Sequence, residues 1–425
     1  MKAAVFHLCF VATVAWAGAA RLGAALSVEE RAIVDWLAPR REEMTALLEQ
    51  AVKIDSPSEN IAGVRAMGAR FATELEALGL TARWVDLPVE SGRAGHLFAE
   101  RKGAKGKRVL MIGHLDTVLP GGKFVRNGDT ARGSGVNDIK GGDVVLIYAL
   151  KALQANGALA DTQIIVAMTG DEESIGSPLE LSRRSLLEVG KRSDVALAFE
   201  GGIPGEATVA RRGSSSWQLE ITAVTGHSSG VFSAALGSGA IYEAARILEG
   251  FHVELRKLPG LTANAGLMAG GAEASEDGFA LNARGKTNII PAKAIVKGDL
   301  RAVSPEQVKE AEAVMRGVVA QNRPRAQPVV TFEHRYPPMA ADARHLGVLA
   351  LYDAASRDLG LGAVVANDPA KRGAGDCAFV APYCAVLDGL GPYGSGAHAE
   401  RETVELNSLV AQATRTAVLL YRLTR

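Results

Sequence analysis

Residues 109–116 have the sequence VLMIGHLD, in which an apolar run passes directly into a histidine and an aspartate. The pattern recurs at 164–173, IIVAMTGDEE, and at 195–200, VALAFE, where apolar runs pass into acidic residues. Short apolar runs of this length are typical of strands buried on both faces. Because open α/β sheets bind ligands at the carboxyl ends of their strands, we expect these polar side chains to meet at one sheet edge.

Segments with helical periodicity separate these predicted strands, for example residues 140–154. This alternation predicts an α/β fold with a mostly parallel sheet that carries helices on both faces. At the start of the chain we predict one helix over residues 27–48, which begins with a capping box of Ser27 and Glu30.

The pattern changes near residue 212. The predicted order from there is β-α-β-β-α-β, and its elements are strand 216–224, helix 239–255, strands 279–283 and 294–301, helix 305–321 and strand 329–334. This order is typical of a ferredoxin-like antiparallel sheet with two helices on one face. We therefore expect an inserted α+β domain at 212–336, between two parts of a larger domain at 26–211 and 337–425.

The composition limits the possible functions. Forty-eight per cent of the 425 residues are hydrophobic, so the chain can bury a large core. Forty-seven basic residues balance 47 acidic residues, which removes the electrostatic argument for a dedicated nucleic-acid or anionic-membrane binder.

The N-terminus predicts export. Residues 3–16 are apolar, follow Lys2 and precede small residues, which is typical of a secretory signal peptide over 1–25. We expect a periplasmic or secreted protein without a stable membrane span after cleavage; an uncleaved anchor is the alternative. The remaining cysteines, Cys377 and Cys384, could form a disulfide in an oxidising compartment, but their spacing does not decide this.

A glycine-rich segment, GSGVNDIKGG at 133–142, places Asp138 just before the helix predicted at 140–154. Taken alone, Asp138 could cap that helix. Its combination with the acidic and histidine residues at the strand ends favours a role in a site.

Seven stretches resemble, in sequence and in order, the motifs of the M20 family of dinuclear metallopeptidases. They are GHLDTV (113–118), GVNDIKGG (135–142), GDEES (170–174), FEG (199–201), TNIIPA (287–292), GDLR (298–301) and GAHAERE (396–402). The resemblance implies that His114 and Glu200 bind one metal ion, that Glu173 and His398 bind a second, and that Asp138 bridges them. Imidazole and carboxylate ligands suit zinc, with manganese or cobalt as alternatives.

Two further acids are catalytic candidates. Asp116 lies two residues after His114 and could accept the second ring N–H, which would fix the tautomer. By resemblance, Glu172 is the general base that takes a proton from the attacking water and passes it to the leaving amine.

The predicted inserted domain supplies three candidate substrate-binding residues. By resemblance, His227 reaches the active site of a neighbouring subunit and stabilises the oxyanion, whereas Asn288 and Arg301 contact the substrate. These roles imply a homodimer formed through this domain, which would also act as a lid. A solvent-facing loop histidine and an exposed strand arginine are the alternatives.

The chain departs from the family at one loop. Residues 372–377, RGAGDC, replace a GGGTD motif; Asp376 is retained, but Lys371 and Arg372 now lie beside it in sequence. This basic loop is consistent with a substrate that has a free carboxylate, and equally with pairing to surface acids.

The resemblance implies an exopeptidase or amidohydrolase that cleaves the amide bond of a C-terminal amino acid by attack of a metal-bridging hydroxide. An N-acyl-amino-acid deacylase would use the same site. A catalytically silent scaffold of the same fold is the alternative from a different functional class.

Overall fold

The computed structural model describes residues 26–278 and 280–425. The predicted signal peptide, residues 1–25, lies outside the described residues. The helices are α1 (Val28–Leu37), α2 (Arg41–Val52), α3 (Ile61–Ala77), α4 (Lys140–Ala155), α5 (Leu179–Lys191), α6 (Gly239–Leu255), α7 (Pro305–Ala320), α8 (Ala343–Asp358), α9 (Cys377–Val380) and α10 (Leu406–Leu423). The strands are β1 (Thr81–Asp86), β2 (Gly95–Arg101), β3 (Lys105–His114), β4 (Val125–Asn127), β5 (Thr130–Arg132), β6 (Thr162–Thr169), β7 (Val195–Ala198), β8 (Glu206–Ala207), β9 (Ser214–Ala223), β10 (Thr262–Gly271), β11 (Glu273–Asp277), β12 (Ala280–Arg284), β13 (Lys293–Arg301), β14 (Ala326–Tyr336), β15 (Val365–Ala366), β16 (Ala385–Leu387), β17 (Gly394–Ser395) and β18 (Thr403–Glu405).

A six-stranded sheet with the order β1-β2-β6-β3-β7-β16 forms the centre of the fold. Strands β6, β3, β7 and β16 pair in parallel, whereas β2 is antiparallel to both of its neighbours. The sheet is therefore mixed, and the fold is of the mixed α/β type. The prediction missed β1 and β2, which lie at one edge of the sheet and introduce its antiparallel pairings.

Helices cover the two faces of this sheet. Val109 and Met111 of β3 belong to a large apolar cluster that includes residues of α1 to α4 and α10. The alternate residues Leu110 and Ile112 belong to a second cluster with residues of α5 and α9. This burial on both sides explains why the sequence of β3 is continuously apolar.

A second, four-stranded sheet has the order β10-β13-β9-β14 and is antiparallel throughout. Helices α6 and α7 pack with it around a separate apolar cluster, which includes Trp217, Phe251 and Met315. The order of its main elements, β9-α6-β10-β13-α7-β14, matches the predicted β-α-β-β-α-β order.

The second strand of this set was predicted wrongly. It is β10, in a stretch where no strand was expected, and the predicted strand 279–283 instead overlaps β12 of the separate hairpin β11–β12. The sequence of β10, TANAGLMAGG, consists mostly of small residues, and most of the strand is exposed. It therefore lacks the alternation that indicates a half-buried strand.

The helix predicted over 27–48 is also wrong, because two helices occupy this region. The capping box of Ser27 and Glu30 starts α1 as expected, but α1 ends at Leu37 and α2 begins at Arg41. Pro39 lies between them, and a proline inside a helix removes a hydrogen bond and clashes with the preceding turn. In the described part of the chain, no helix combines the length and the apolar character needed to cross a membrane.

Candidate metal centre

Three of the five predicted metal ligands lie at or after the ends of neighbouring strands. His114 is the last residue of β3, Glu173 follows β6 and Glu200 follows β7. His114 pairs in register with Thr169 of β6, so these parallel strands end at the same level. Asp138 precedes α4, and His398 lies in the loop between β17 and β18.

The structure brings all five predicted metal ligands together. Within each of two groups, one ligand atom from every residue lies within 4.8 Å of the others; the groups are His114, Asp138 and Glu200, and Asp138, Glu173 and His398. The carboxylate of Asp138 belongs to both groups. Its Oδ1 lies 3.4 Å from His114 Nε2, and its Oδ2 lies 3.2 Å from His398 Nε2. The two oxygens of the Asp138 carboxylate therefore face different imidazoles.

The electrostatics of the centre fit bound cations. The buried atoms His114 Nε2 and Glu173 Oε1 have no hydrogen-bond partner among the described residues. Burial and the nearby Asp138 charge raise the pKa of Glu200 to about 7, and burial also raises the pKa of Glu172 well above its usual range. Such crowding of carboxylates is unfavourable without positive charge, and divalent ions would supply both the charge and the missing partners.

The two imidazoles differ in their surroundings. The side chain of His114 is 2% exposed, whereas that of His398 is 56% exposed. Hydrogen bonds to Asp138 and Glu173 raise the pKa of His398 to about 11. The backbone of His398 has φ +62°, a left-handed conformation that is uncommon for a non-glycine residue and is often found at functional sites.

Asp116 fixes the positions of several site residues. His114 Nδ1 lies 3.0 Å from the backbone carbonyl oxygen of Asp116 and 3.4 Å from its carboxylate Oδ1. The buried carboxylate also accepts the backbone N–H groups of Glu172 and Glu173, at 3.1 and 3.0 Å, and the hydroxyl of Ser58 at 2.6 Å. Asp116 therefore connects the end of β3 to the loop that carries both glutamates.

Glu402 holds the segment that contains Asp138, a role that the sequence did not predict. Its Oε1 accepts the backbone N–H groups of Asn137 and Asp138, at 2.8 and 3.0 Å, and its Oε2 accepts that of Gly135 at 2.8 Å. The N-cap of α4 is Ile139, without a side-chain cap. Asp138 therefore does not cap the helix, and its carboxylate faces the imidazoles.

A buried ion pair lies beside Glu200 and was not predicted either. Arg211 Nε donates to Asp388 Oδ2 at 2.5 Å, and Arg211 Nη1 donates to the carbonyl oxygens of Gly373 and Ala374 at 2.9 Å each. Arg211 Nη2 lies 3.9 Å from Glu200 Oε2. Burial raises the pKa of Asp388, but the charges of Arg211 and Arg372 and the hydrogen bonds that the carboxylate accepts together lower the net pKa.

The three predicted substrate-binding residues lie apart from these ligands. His227 is exposed and its Nδ1 lies 2.9 Å from the hydroxyl oxygen of Ser229. Asn288 is its neighbour in space, because the backbone N–H of residue 228 donates to the Asn288 carbonyl oxygen at 2.9 Å. Arg301 pairs with Asp299 at 3.0 Å. Within the described chain, none of the three side chains forms a hydrogen bond or ion pair with the candidate metal ligands.

Both described cysteines, Cys377 and Cys384, are buried free thiols. The disulfide that an oxidising compartment would permit is therefore absent from this structure.

Residues 110–422 match the sequence profile of the family described as "Peptidase family M20/M25/M40". Over 389 residues, which are 88% of this chain and 87% of the relative, the sequence is 27% identical to carboxypeptidase G2 from Pseudomonas sp. (strain RS-16). The fold is similar to that of aminopeptidase PepT from Bacillus cereus ATCC 10987, with a TM-score of 0.72, 18% identity, and coverage of 91% of this chain and 99% of that chain. It is also similar to the Bacillus subtilis YXEP protein, a dinuclear metal-binding peptidase from the M20 family, with a TM-score of 0.62, 14% identity, and coverage of 91% and 99%.

Proposed function

The chain belongs to peptidase family M20/M25/M40 and is a hydrolase, and on this basis we propose that it is a metal-dependent exopeptidase, which cleaves the amide bond of a C-terminal amino acid. One observation carries the proposal. The Asp138 carboxylate lies between the two imidazoles, and one further glutamate accompanies each imidazole. The retained ligand set argues against a catalytically silent scaffold.

We propose that the centre holds two zinc ions. His114, Asp138 and Glu200 would hold one, and Asp138, Glu173 and His398 would hold the other. When bound, such ions polarise the amide carbonyl and lower the pKa of water.

Glu172 is the proposed general base. Its backbone N–H donates to Asp116 Oδ1, and its carbonyl oxygen accepts the Tyr336 hydroxyl, so the main chain is held on both sides. Its carboxylate forms no hydrogen bond to the described residues, and burial raises its pKa well above the usual range. A carboxylate with a raised pKa is suited to accept a proton from water and then to release it to the leaving amine nitrogen.

We propose that residues 212–336 form a lid that also joins two copies of the chain. Support comes from the edge strand β10, on which Leu267 and Met268 are 47% and 46% exposed, and from Ile241 and Tyr242 of α6, which are 40% and 53% exposed. Apolar side chains grouped on an edge strand and its neighbouring helix are typical of an interface. Sedimentation of wild type and of Leu267→Glu would test this, since only wild type should form a dimer.

The adjacent glutamates provide a matched pair of variants for the catalytic proposal. Glu172→Gln should lose turnover but keep its metal content, because Glu172 is the base and not a ligand. Glu173→Gln should lose metal. Elemental analysis after desalting, together with turnover, separates the two roles. Equal metal loss in both variants would contradict the assignment.

The second candidate is an N-acyl-amino-acid deacylase with the same centre. Protein loaded with zinc, manganese or cobalt should be incubated with pooled dipeptides and N-acyl amino acids, and the products identified by mass spectrometry. Release of C-terminal amino acids from peptides supports the exopeptidase, whereas release from acyl conjugates alone supports the deacylase. Absence of all cleavage would overturn both.

Export of the protein is a further proposal, supported by the composition of residues 1–25. N-terminal sequencing of protein recovered from the periplasm or medium would test it, since mature protein should lack this segment.

A further inference from the structure

Arg372 has an unusual environment for a partly buried cation. Its Nε is buried and has no hydrogen-bond partner among the described residues, and the charged groups around it act only at longer range. By contrast, Arg183 lies 2.5 Å from Asp171, and Arg211 lies 2.5 Å from Asp388. Burying a charge without a partner is costly, so the position of Arg372 requires an explanation.

The guanidinium of Arg372 lies in the wall beside the metal centre. Its Nη2 is 3.5 Å from the point that a Cβ on Gly389 would occupy. Two residues further on, the backbone N–H of Gly391 donates to the carbonyl oxygen of Glu200 at 2.9 Å. Asp388, which precedes Gly389, already pairs with Arg211, and Asp376, four residues after Arg372, pairs with Arg183. The local acids therefore leave Arg372 unpaired on the side of the centre where Glu200 lies.

The side chain is nevertheless only partly buried as a whole, so a ligand from solvent can reach it. A planar guanidinium with free N–H groups matches a carboxylate, which it can bind through two parallel hydrogen bonds. Arg301, the residue that the family resemblance favoured for this task, instead pairs with Asp299 on the second sheet.

We propose that Arg372 is the residue that binds the free carboxylate of the substrate. This inference rests on the proposed function and assigns recognition of the substrate carboxylate to one residue. Arg372 is a specificity-determining residue that contacts the substrate and takes no part in proton transfer.

The test compares Arg372→Met with Lys371→Met, which removes the same charge from the adjacent, exposed residue. Binding of N-acetylalanine and of its amide to EDTA-treated protein is measured by calorimetry. Wild type and Lys371→Met should prefer the acid by at least about 30-fold, the factor expected at the low end for one hydrogen-bonded charge pair. Arg372→Met should show no preference, and Arg372→Lys should recover part of it. Thermal unfolding confirms that each variant is folded.

Steady-state kinetics on metal-loaded enzyme separate this inference from the proposed function. With an N-acyl dipeptide and its C-terminal amide, Arg372→Met should raise KM for the acid and leave the amide unaffected. If wild type hydrolyses neither compound, the proposed function is wrong, but the binding measurement still tests whether Arg372 recognises a carboxylate. If wild type lacks a preference for the acid, or if Arg372→Met keeps it, the inference about Arg372 is overturned.

Discussion

Replacing Glu402 by Gln should weaken metal binding, although Glu402 is not itself a proposed ligand. Glu402 accepts three backbone N–H groups from the segment that positions Asp138. A glutamine has the same shape, but one of its two terminal atoms becomes an NH₂ donor. If its oxygen occupies the Oε1 position, the N–H groups of Asn137 and Asp138 keep an acceptor, whereas that of Gly135 faces another donor.

The size of the effect follows from this loss. A buried N–H without an acceptor costs about 1–3 kcal/mol. Burial raises the pKa of Glu402 despite its three hydrogen bonds, so removing the charge partly offsets that cost in metal-free protein. The metal-bound form gains no such relief, because positive ions favour a nearby negative charge. We therefore expect metal affinity to fall by about 10–100-fold, the usual range for residues that orient a ligand.

Competition with a fluorescent zinc chelator measures this affinity directly. Glu400→Gln is the matched control, because it removes the same charge two residues away from an exposed side chain. The control should bind zinc like wild type. If Glu402→Gln also retains wild-type affinity, the hydrogen bonds to the Asp138 segment do not determine metal binding and the reasoning is refuted.

Two other predictions concern pH and the general base. His96 is buried, and burial is the main cause that lowers its pKa from 6.5. The unfolded chain therefore binds a proton at His96 more readily than the folded protein does. The free energy of unfolding that neutral His96 contributes is complete above pH 6.5 and is lost as pH falls through the folded pKa. Urea unfolding of EDTA-treated protein at pH 7 and 5.5 should show this loss of stability. The variant His96→Gln, whose side chain can replace both ring hydrogen bonds, should lose less stability between the two pH values. Equal losses in wild type and variant would contradict the assignment to His96. Tyr336→Phe removes the hydroxyl that donates to the Glu172 carbonyl oxygen. We expect kcat to fall by about 2–10-fold, the rate change that corresponds to the free energy of one hydrogen bond, with little change in KM. An unchanged kcat would show that this contact does not position the base.

The sequence indicated which side chains would lie together because its signals are local. His114, Glu173 and Glu200 each follow a recognisable apolar strand, and parallel strands bring their carboxyl ends to one edge. The order of the motifs then added Asp138 and His398, which lie in loops without such a pattern.

The supporting contacts could not be predicted in the same way. Arg211 and Asp388 are separated by 177 residues, and no periodicity links them. Glu402 lies inside a recognised motif, but its partners are backbone N–H groups, which have no residue-type signature. Strand β10 was missed because its small, exposed residues do not alternate, whereas the break between α1 and α2 could have been inferred from Pro39.

The unequal exposure of the two imidazoles has a consequence for cofactor loading. His114 is buried at the end of β3, whereas His398 is exposed in the loop between β17 and β18. Dialysis against a chelator should therefore empty the two positions in sequence, the His398 position first. A half-depleted preparation could then be refilled with a different divalent ion, which would give a heteronuclear enzyme with one spectroscopically distinct site.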